Sequence, residues 1–150
     1  MPITVRLARP DDVDALTALA EELGYAAAAA GVAERLARFA LRPDDHAVYV
    51  AHDDHRVVGW IHVGRRETLE TPARAEILGL VVNTDRRRAG VGRTLVDAAE
   101  IWAAVQGLRE VVVRSNVVRP DSHQFYERIG YARVKTQHVY LKAAPARVPR

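Results

Sequence analysis

The stretch that most constrains this chain runs Leu80-Val81-Val82-Asn83-Thr84-Asp85-Arg86-Arg87-Arg88-Ala89-Gly90-Val91-Gly92-Arg93. An apolar strand passes into a basic turn, two glycines follow, and a long amphipathic helix pattern begins. Glycine at 90 and 92 removes side chains where the backbone bends into the helix. The amides of Arg88 to Arg93 are left to point at one ligand. The first turn of a helix has unpaired N–H groups and a partial positive charge, so it binds phosphate well. Arginines at 86 to 88 and at 93 add full charges, and the segment reads as a pyrophosphate clamp. It also limits topology. Strand 75–82, helix 91–106 and strand 111–115 imply a parallel pair joined by a right-handed crossover.

Spacing excludes two common phosphate loops. A Walker A loop needs Gly, four residues, then Gly-Lys-Ser/Thr. Gly92-Arg93-Thr94 lacks the lysine, and Arg87 sits where the first glycine belongs. A dinucleotide fingerprint needs a third glycine three residues after Gly92, and that position is Leu95. What remains is Arg87-x-x-Gly90-x-Gly92 after a Val-rich strand. This resembles the acetyl-CoA signature of GNAT superfamily N-acetyltransferases. A second motif strengthens the resemblance: Val111-Val112-Val113 leads to Ser115-Asn116, then Asp121-Ser122-His123-Gln124-Phe125-Tyr126-Glu127-Arg128-Ile129-Gly130-Tyr131. The likeness extends from about Ile3 to Lys142 and is specific from Ala75 to Tyr131. Three features depart from it. Thr84 stands where the family often has Pro, His123 stands where a small residue is usual, and Tyr25 to Gly31 matches nothing in the pattern.

At 150 residues the chain suits one domain, here 1–142, with 143–150 as a flexible tail. The absence of cysteine removes disulfides, thiolate metal sites and a cysteine nucleophile. Covalent transfer through sulfur is thereby excluded, and direct transfer in a ternary complex is favoured. No apolar run approaches the ~20 residues that cross a bilayer, so no membrane partner and a cytoplasmic location are expected. The net charge of +3 raises the question of nucleic acid. The arginines cluster where a CoA-like polyanion needs them, and no aromatic stacking platform accompanies them, so no nucleic-acid partner is expected.

Periodicity predicts a strand over 3–8 and a helix from Pro10 that stops at Gly24. A second helix is predicted over 33–41, strands over 47–51 and 56–64 around an Asp53-Asp54 turn, and strand 75–82. Helix 91–106, strand 111–115, helix 120–129 and a last strand over 136–141 complete the reading. The fold class is α/β (α+β): a mixed, mostly antiparallel sheet flanked by helices. The resemblance adds that the parallel pair splays apart and that the coenzyme enters the gap.

The resemblance assigns coenzyme contacts to Leu80, Val81, Val82, Arg87, Arg88, Ala89, Gly90, Val91, Gly92, Arg93, Asn116, Phe125 and Tyr126. Tyr126 matches the tyrosine that protonates the departing sulfur in many members. A phenol with a reference pKa of ~10 is protonated at neutral pH and can donate. Glu76 matches a glutamate that takes the amine proton in some members. The alternative is a strand-end glutamate in solvent or paired with Arg74 or Arg65. Alternation puts Glu76, Leu78, Leu80 and Val82 on one face unless a bulge intervenes. A backbone amide near Val81 or Val82, freed by a bulge, is the expected oxyanion donor.

Other groups are weaker candidates. His52-Asp53-Asp54-His55 sits at a hairpin tip where neighbouring side chains diverge, so no metal is expected. Asp121 and Ser122 suit a helix cap rather than a relay with His123. His62 faces either the acceptor or the core. Glu21, Glu22 and Tyr25 either bind a cationic amine or form an ordinary helix end. The reading is an acetyl-CoA-dependent N-acetyltransferase acting on a small-molecule primary amine. Its rivals are a protein or peptide acetyltransferase and a non-catalytic acyl-CoA-binding regulatory module. The family's habit makes a homodimer the expected assembly.

Overall fold

A computed structural model describes residues 2–25, 27–87, 89–115 and 120–146. They form two compact units, residues 2–114 and residues 115–146.

The first unit is a five-stranded sheet in the order β1-β2-β3-β4-β5. Its strands are β1 (Thr4–Leu7), β2 (His46–His52), β3 (Val57–Arg66), β4 (Arg74–Val82) and β5 (Val111–Val113). The first four pair antiparallel, and β4 pairs parallel with β5. Three helices complete the unit: α1 (Val13–Glu22), α2 (Ala29–Ala40) and α3 (Val91–Val105). The crossover expected from the sequence is therefore β4-α3-β5. Helix α2 begins four residues earlier than predicted, because the alanine run supplies good helix formers at its start.

Helix α3 packs on one face of the sheet through Val91, Leu95, Val96, Ala99, Trp102 and Ala103. Their opposite numbers include Ile61 and Val63, which are fully buried. Gly59 makes the approach close. A Cβ there would meet the Val81 carbonyl oxygen at 3.0 Å, Leu95 Cδ1 at 3.1 Å and Val91 Cγ1 at 3.3 Å. Helices α1 and α2 lie against the sheet through β2, β3 and β4. Buried Asp12 ties β1 to the start of α1: it accepts from Arg6 at 2.8 and 3.0 Å and from the Arg9 amide at 2.7 Å.

The β3–β4 ladder breaks once. His62 pairs with Gly79 and Val63 with Ile77, so Leu78 has no partner on β3. Directly paired residues share a face. The break therefore puts Glu76 on the face of Gly79 and Val81, with Trp60 and His62, and moves Leu80 and Val82 to the α3 face. The uninterrupted alternation of Glu76, Leu78, Leu80 and Val82 is corrected accordingly.

The second unit holds α4 (Pro120–Arg128), closed by the Tyr131 amide donating to the Tyr126 carbonyl at 2.9 Å. The strand predicted over 136–141 does not form. Residues 132–146 are exposed, with Val139 and Leu141 more than nine-tenths so. Alternation in a sequence specifies a strand only where a neighbour completes its ladder, and α4 offers none.

Candidate active site

The parallel pairing ends at Ile77 and Val113, whereas β4 runs on to Val82. Leu78 to Val82 therefore have an edge without a strand partner among the described residues. Successive residues of a strand direct their amides to alternate edges, so this stretch offers N–H groups at that gap. The bulge expected near Val81 or Val82 lies instead at Leu78. Val81 and Val82 pair regularly with Trp60 and Gly59.

Beyond Val82 the chain turns. Buried Asn83 donates its amide to the Val58 carbonyl at 2.8 Å, and its side chain accepts from the Asp85 amide at 2.8 Å. The short 3-10 turn Thr84–Arg86 follows. Gly90 then takes φ +82° as the residue before α3, a left-handed conformation that favours glycine. No side chain caps the 15-residue helix, and nothing lies within 4 Å of where a Gly90 Cβ would stand. Arg87, Ala89, Gly90 and Arg93 are exposed around this end, with Gly92 half-buried and Val91 buried beneath it. An uncapped, glycine-led helix start with cations beside it fits a diphosphate in charge and shape. Arg88 and Asn116 lie outside the described residues.

The turn is braced from two sides. Asp53 accepts from the His55 and Arg56 amides at 2.8 and 2.9 Å, and its other oxygen accepts from Arg86. These bonds hold the Asp53 carboxyl below the usual range. Asp53 is thus the brace of the hairpin tip, and Arg86, counted among the clamp's free cations, is spent on it. Glu22, at the end of α1, accepts from the Thr84 hydroxyl at 2.7 Å and the Thr84 amide at 2.9 Å. Those two bonds lower its carboxyl pKa. Glu22 belongs to the turn rather than to an acceptor site. The proline usual at position 84 could make neither bond.

On the opposite face of β4, α1 and α2 cover a half-open cavity of about 380 Å³. Leu16 and Ala20 of α1 and Val32, Leu36 and Phe39 of α2 form its roof. Val48, Trp60, His62 and the stretch Leu78–Val81 form its floor. Gly79 makes room for Trp60: a Cβ there would stand 2.9 Å from the indole ring. The His62 ring lies 3.0 Å, Nε2 to Nδ1, from His46, and Phe39 stacks on both rings at 4.3 and 4.5 Å between centroids. Burial, then His46, push His62 down to about 4, and burial lowers His46 as well. Both imidazoles are neutral at pH 7, and His62 faces the cavity.

Glu76 is buried and lies 3.4 Å from both Arg66 and Arg114. Its partners are these two arginines rather than Arg74 or Arg65. Glu76 stops two residues short of the cavity-lining stretch of β4. In the second unit, Tyr126 is half-buried between Phe125 and Tyr131, edge-on to both rings at 5.1 and 5.9 Å. Burial pushes its phenol up to about 12, which keeps it a proton donor.

Sequence reasoning missed Trp60, His46 and Phe39, placed Asp53 only in a turn, and left Glu22 between an acceptor role and a helix end. Gly59 and Gly79 were the available signal, since glycine inside a strand marks close approach of something else.

The sequence pattern of the Acetyltransferase (GNAT) family matches residues 13–131. No curated protein matches the chain. Among solved structures, AAC(6')-Iy in complex with the bisubstrate analogue CoA-S-monomethyl-acetylneamine is similar with a TM-score of 0.85. It is 17% identical, over 96% of this chain and 100% of that one. Glucosamine-6-phosphate N-acetyltransferase from Arabidopsis thaliana is similar at 0.82 and 16% identity, over 94% and 99%. A transcriptional regulator from Bacillus halodurans C-125 is similar at 0.75 and 24% identity, over 95% and 99%.

Proposed function

Because the chain belongs to the acetyltransferase (GNAT) family, a family of acyltransferases, we propose that it transfers acetyl from acetyl-CoA to the primary amine of a small molecule. The observation that carries this reading is the uncapped start of α3 beside the unpaired edge of β4. The first-turn amides of Val91, Gly92 and Arg93 hold the diphosphate, with Arg87, Arg88 and Ala89 around it. Leu80, Val81 and Val82 line the pantetheine on the open edge, where the Leu80 and Val82 amides, which alternate away from β3, also steady the thioester oxygen. Asn116 and Phe125 complete the coenzyme contacts.

The acceptor occupies the cavity on the other face of β4. Its neutral amine attacks the thioester carbonyl directly, the C–S bond breaks, and the thiolate takes a proton from the Tyr126 hydroxyl, which regains one from the attacking nitrogen as that becomes the amide. The proton lost by the ammonium passes through water to Glu76, whose charge is matched by Arg66 and Arg114. Residues 1–142 act as one catalytic domain, working in the cytoplasm as a homodimer. The acetyltransferases described above, an aminoglycoside N-acetyltransferase and a glucosamine-6-phosphate N-acetyltransferase, support a small-molecule acceptor.

The test is thiol release from acetyl-CoA with a panel of amines, peptides and proteins. Turnover restricted to small amines is the expected result. Saturable CoA binding without transfer to any acceptor would favour a regulatory binding module, and transfer to peptides alone would favour a protein acetyltransferase.

A further inference from the structure

The cavity under α1 and α2 has a wall chemistry that discriminates among amines. Its roof and floor are aliphatic and aromatic, from Leu36 and Phe39 to Val48 and Trp60. No carboxylate lines it among the described residues. Of the acids nearby, Glu22 is engaged with Thr84 and Glu76 with Arg66 and Arg114, while Glu21 lines only the open depression beside the cavity, with Gly24 and Tyr25. His62, the titratable group on the floor, is neutral. Among the described residues, the one charged side chain in the wall is Arg35, on the exposed side of α2. Its guanidinium folds back over Gly31, with Nη1 3.2 Å from where a Cβ would stand. Arg35 makes no ion pair among the described residues.

A polycation entering this cavity would lose its hydration beside an unpaired arginine and gain no carboxylate, so polyamines are disfavoured. Volume limits the size of the part that sits within the walls of this half-open cavity. At about 30 Å³ per water-sized group, the space holds on the order of a dozen non-hydrogen atoms.

We propose that the acceptor is a compact monoamine with an aromatic or branched apolar body and one anionic group, carboxylate or phosphate, that pairs with Arg35. The body fills the space between Phe39 and Trp60, and the anion stays at the rim where the guanidinium is hydrated. This deepens the acetyltransferase reading and rests on it. The pairing is a charge-assisted hydrogen bond at a partly exposed site, and a tenfold preference is its expected size.

The experiment measures kcat/KM at saturating acetyl-CoA for L-phenylalanine, phenethylamine, phenethylamine's ring-phosphorylated analogue O-phosphotyramine, and neamine. The expected result is a preference of at least tenfold for phenylalanine or O-phosphotyramine over phenethylamine, with neamine the poorest. Whichever of the two wins identifies the anion as carboxylate or phosphate. In Arg35→Gln the preference for the anionic amine falls to about one. Circular dichroism and CoA affinity equal to the parent certify that this exposed substitution leaves the fold intact. Neamine as the best substrate, or an anion preference unaltered by Arg35→Gln, overturns the proposal while leaving the acetyltransferase standing. CoA binding with no turnover of any of the four or of the wider amine panel overturns the underlying activity.

Discussion

Gly59 sets the distance between the start of α3 and the sheet, so Gly59→Ala tests how the fold builds the clamp. The new methyl would lie 3.0 Å from the Val81 oxygen, 3.1 Å from Leu95 Cδ1 and 3.3 Å from Val91 Cγ1. Carbon contacts prefer about 3.5–4.0 Å. Leu95 and Val91 are essentially fully buried and sit on the first turns of one helix, so neither can swing aside. Relief of the Leu95 and Val91 contacts requires the N-terminal end of α3 to lift by roughly 0.3 to 0.8 Å, while the Val81 oxygen contact remains within the sheet, at a total cost of about 1–3 kcal/mol. For a chain of this size that lowers Tm by roughly 3 to 10 °C. The same lift misaligns the amides of Val91 to Arg93, so CoA affinity falls at least several-fold by calorimetry. Gly107→Ala is the control. Gly107 has φ +76° and open space around its Cβ position, at the other end of α3. It costs about 1–2 kcal/mol of backbone strain and leaves CoA affinity unchanged. If Gly59→Ala matches the parent in both Tm and CoA affinity, the claim that this glycine positions the clamp is refuted.

Tyr126→Phe keeps the edge-on ring contacts and removes the proton, so turnover should fall at least tenfold with acetyl-CoA affinity within twofold, read by stopped-flow and calorimetry. Glu76→Gln should shift the alkaline rise of the pH–rate curve, and an unchanged profile would return Glu76 to a purely structural pair with Arg66 and Arg114. Acid stability has a definite sign. Unfolded histidines take up protons below about pH 6.5, whereas folded His62 resists until about 4 and folded His46 is shifted the same way. The unfolded state therefore binds more protons in that window, and stability that is complete above pH 6.5 drains as pH falls toward 4, by about 1–3 kcal/mol for a half-buried ring. Urea unfolding from pH 7 to 4 should show this slope, and His62→Gln should flatten it.

Much of this architecture was legible in the residues. The glycine bend after a Val-rich strand announced both the crossover and the start of α3, because few side chains permit that turn. Glu76 was legible as an acid needing partners, but its partners were not. Arg66 and Arg114 reach it across the sheet from β3 and from just beyond β5, and pairing register is not written in one strand's sequence. The break at Leu78 was invisible for the same reason, and it reversed the faces of everything after it. The strand at 136–141 had a strand's alternation, yet alternation describes one side of a ladder only. The cavity under α1 and α2 was hidden because it is assembled from those helices and three strands, and His46 and His62 are sixteen residues apart in sequence.

The most direct measurement is calorimetric titration of parent and Gly90→Asp with CoA and with pantetheine, which lacks the diphosphate. The parent should bind CoA saturably and pantetheine at least a hundredfold more weakly, and Gly90→Asp, with a carboxylate at the anion's seat, should lose CoA binding. Equal affinity for CoA and pantetheine, or undiminished CoA binding by Gly90→Asp, would contradict the account at its base.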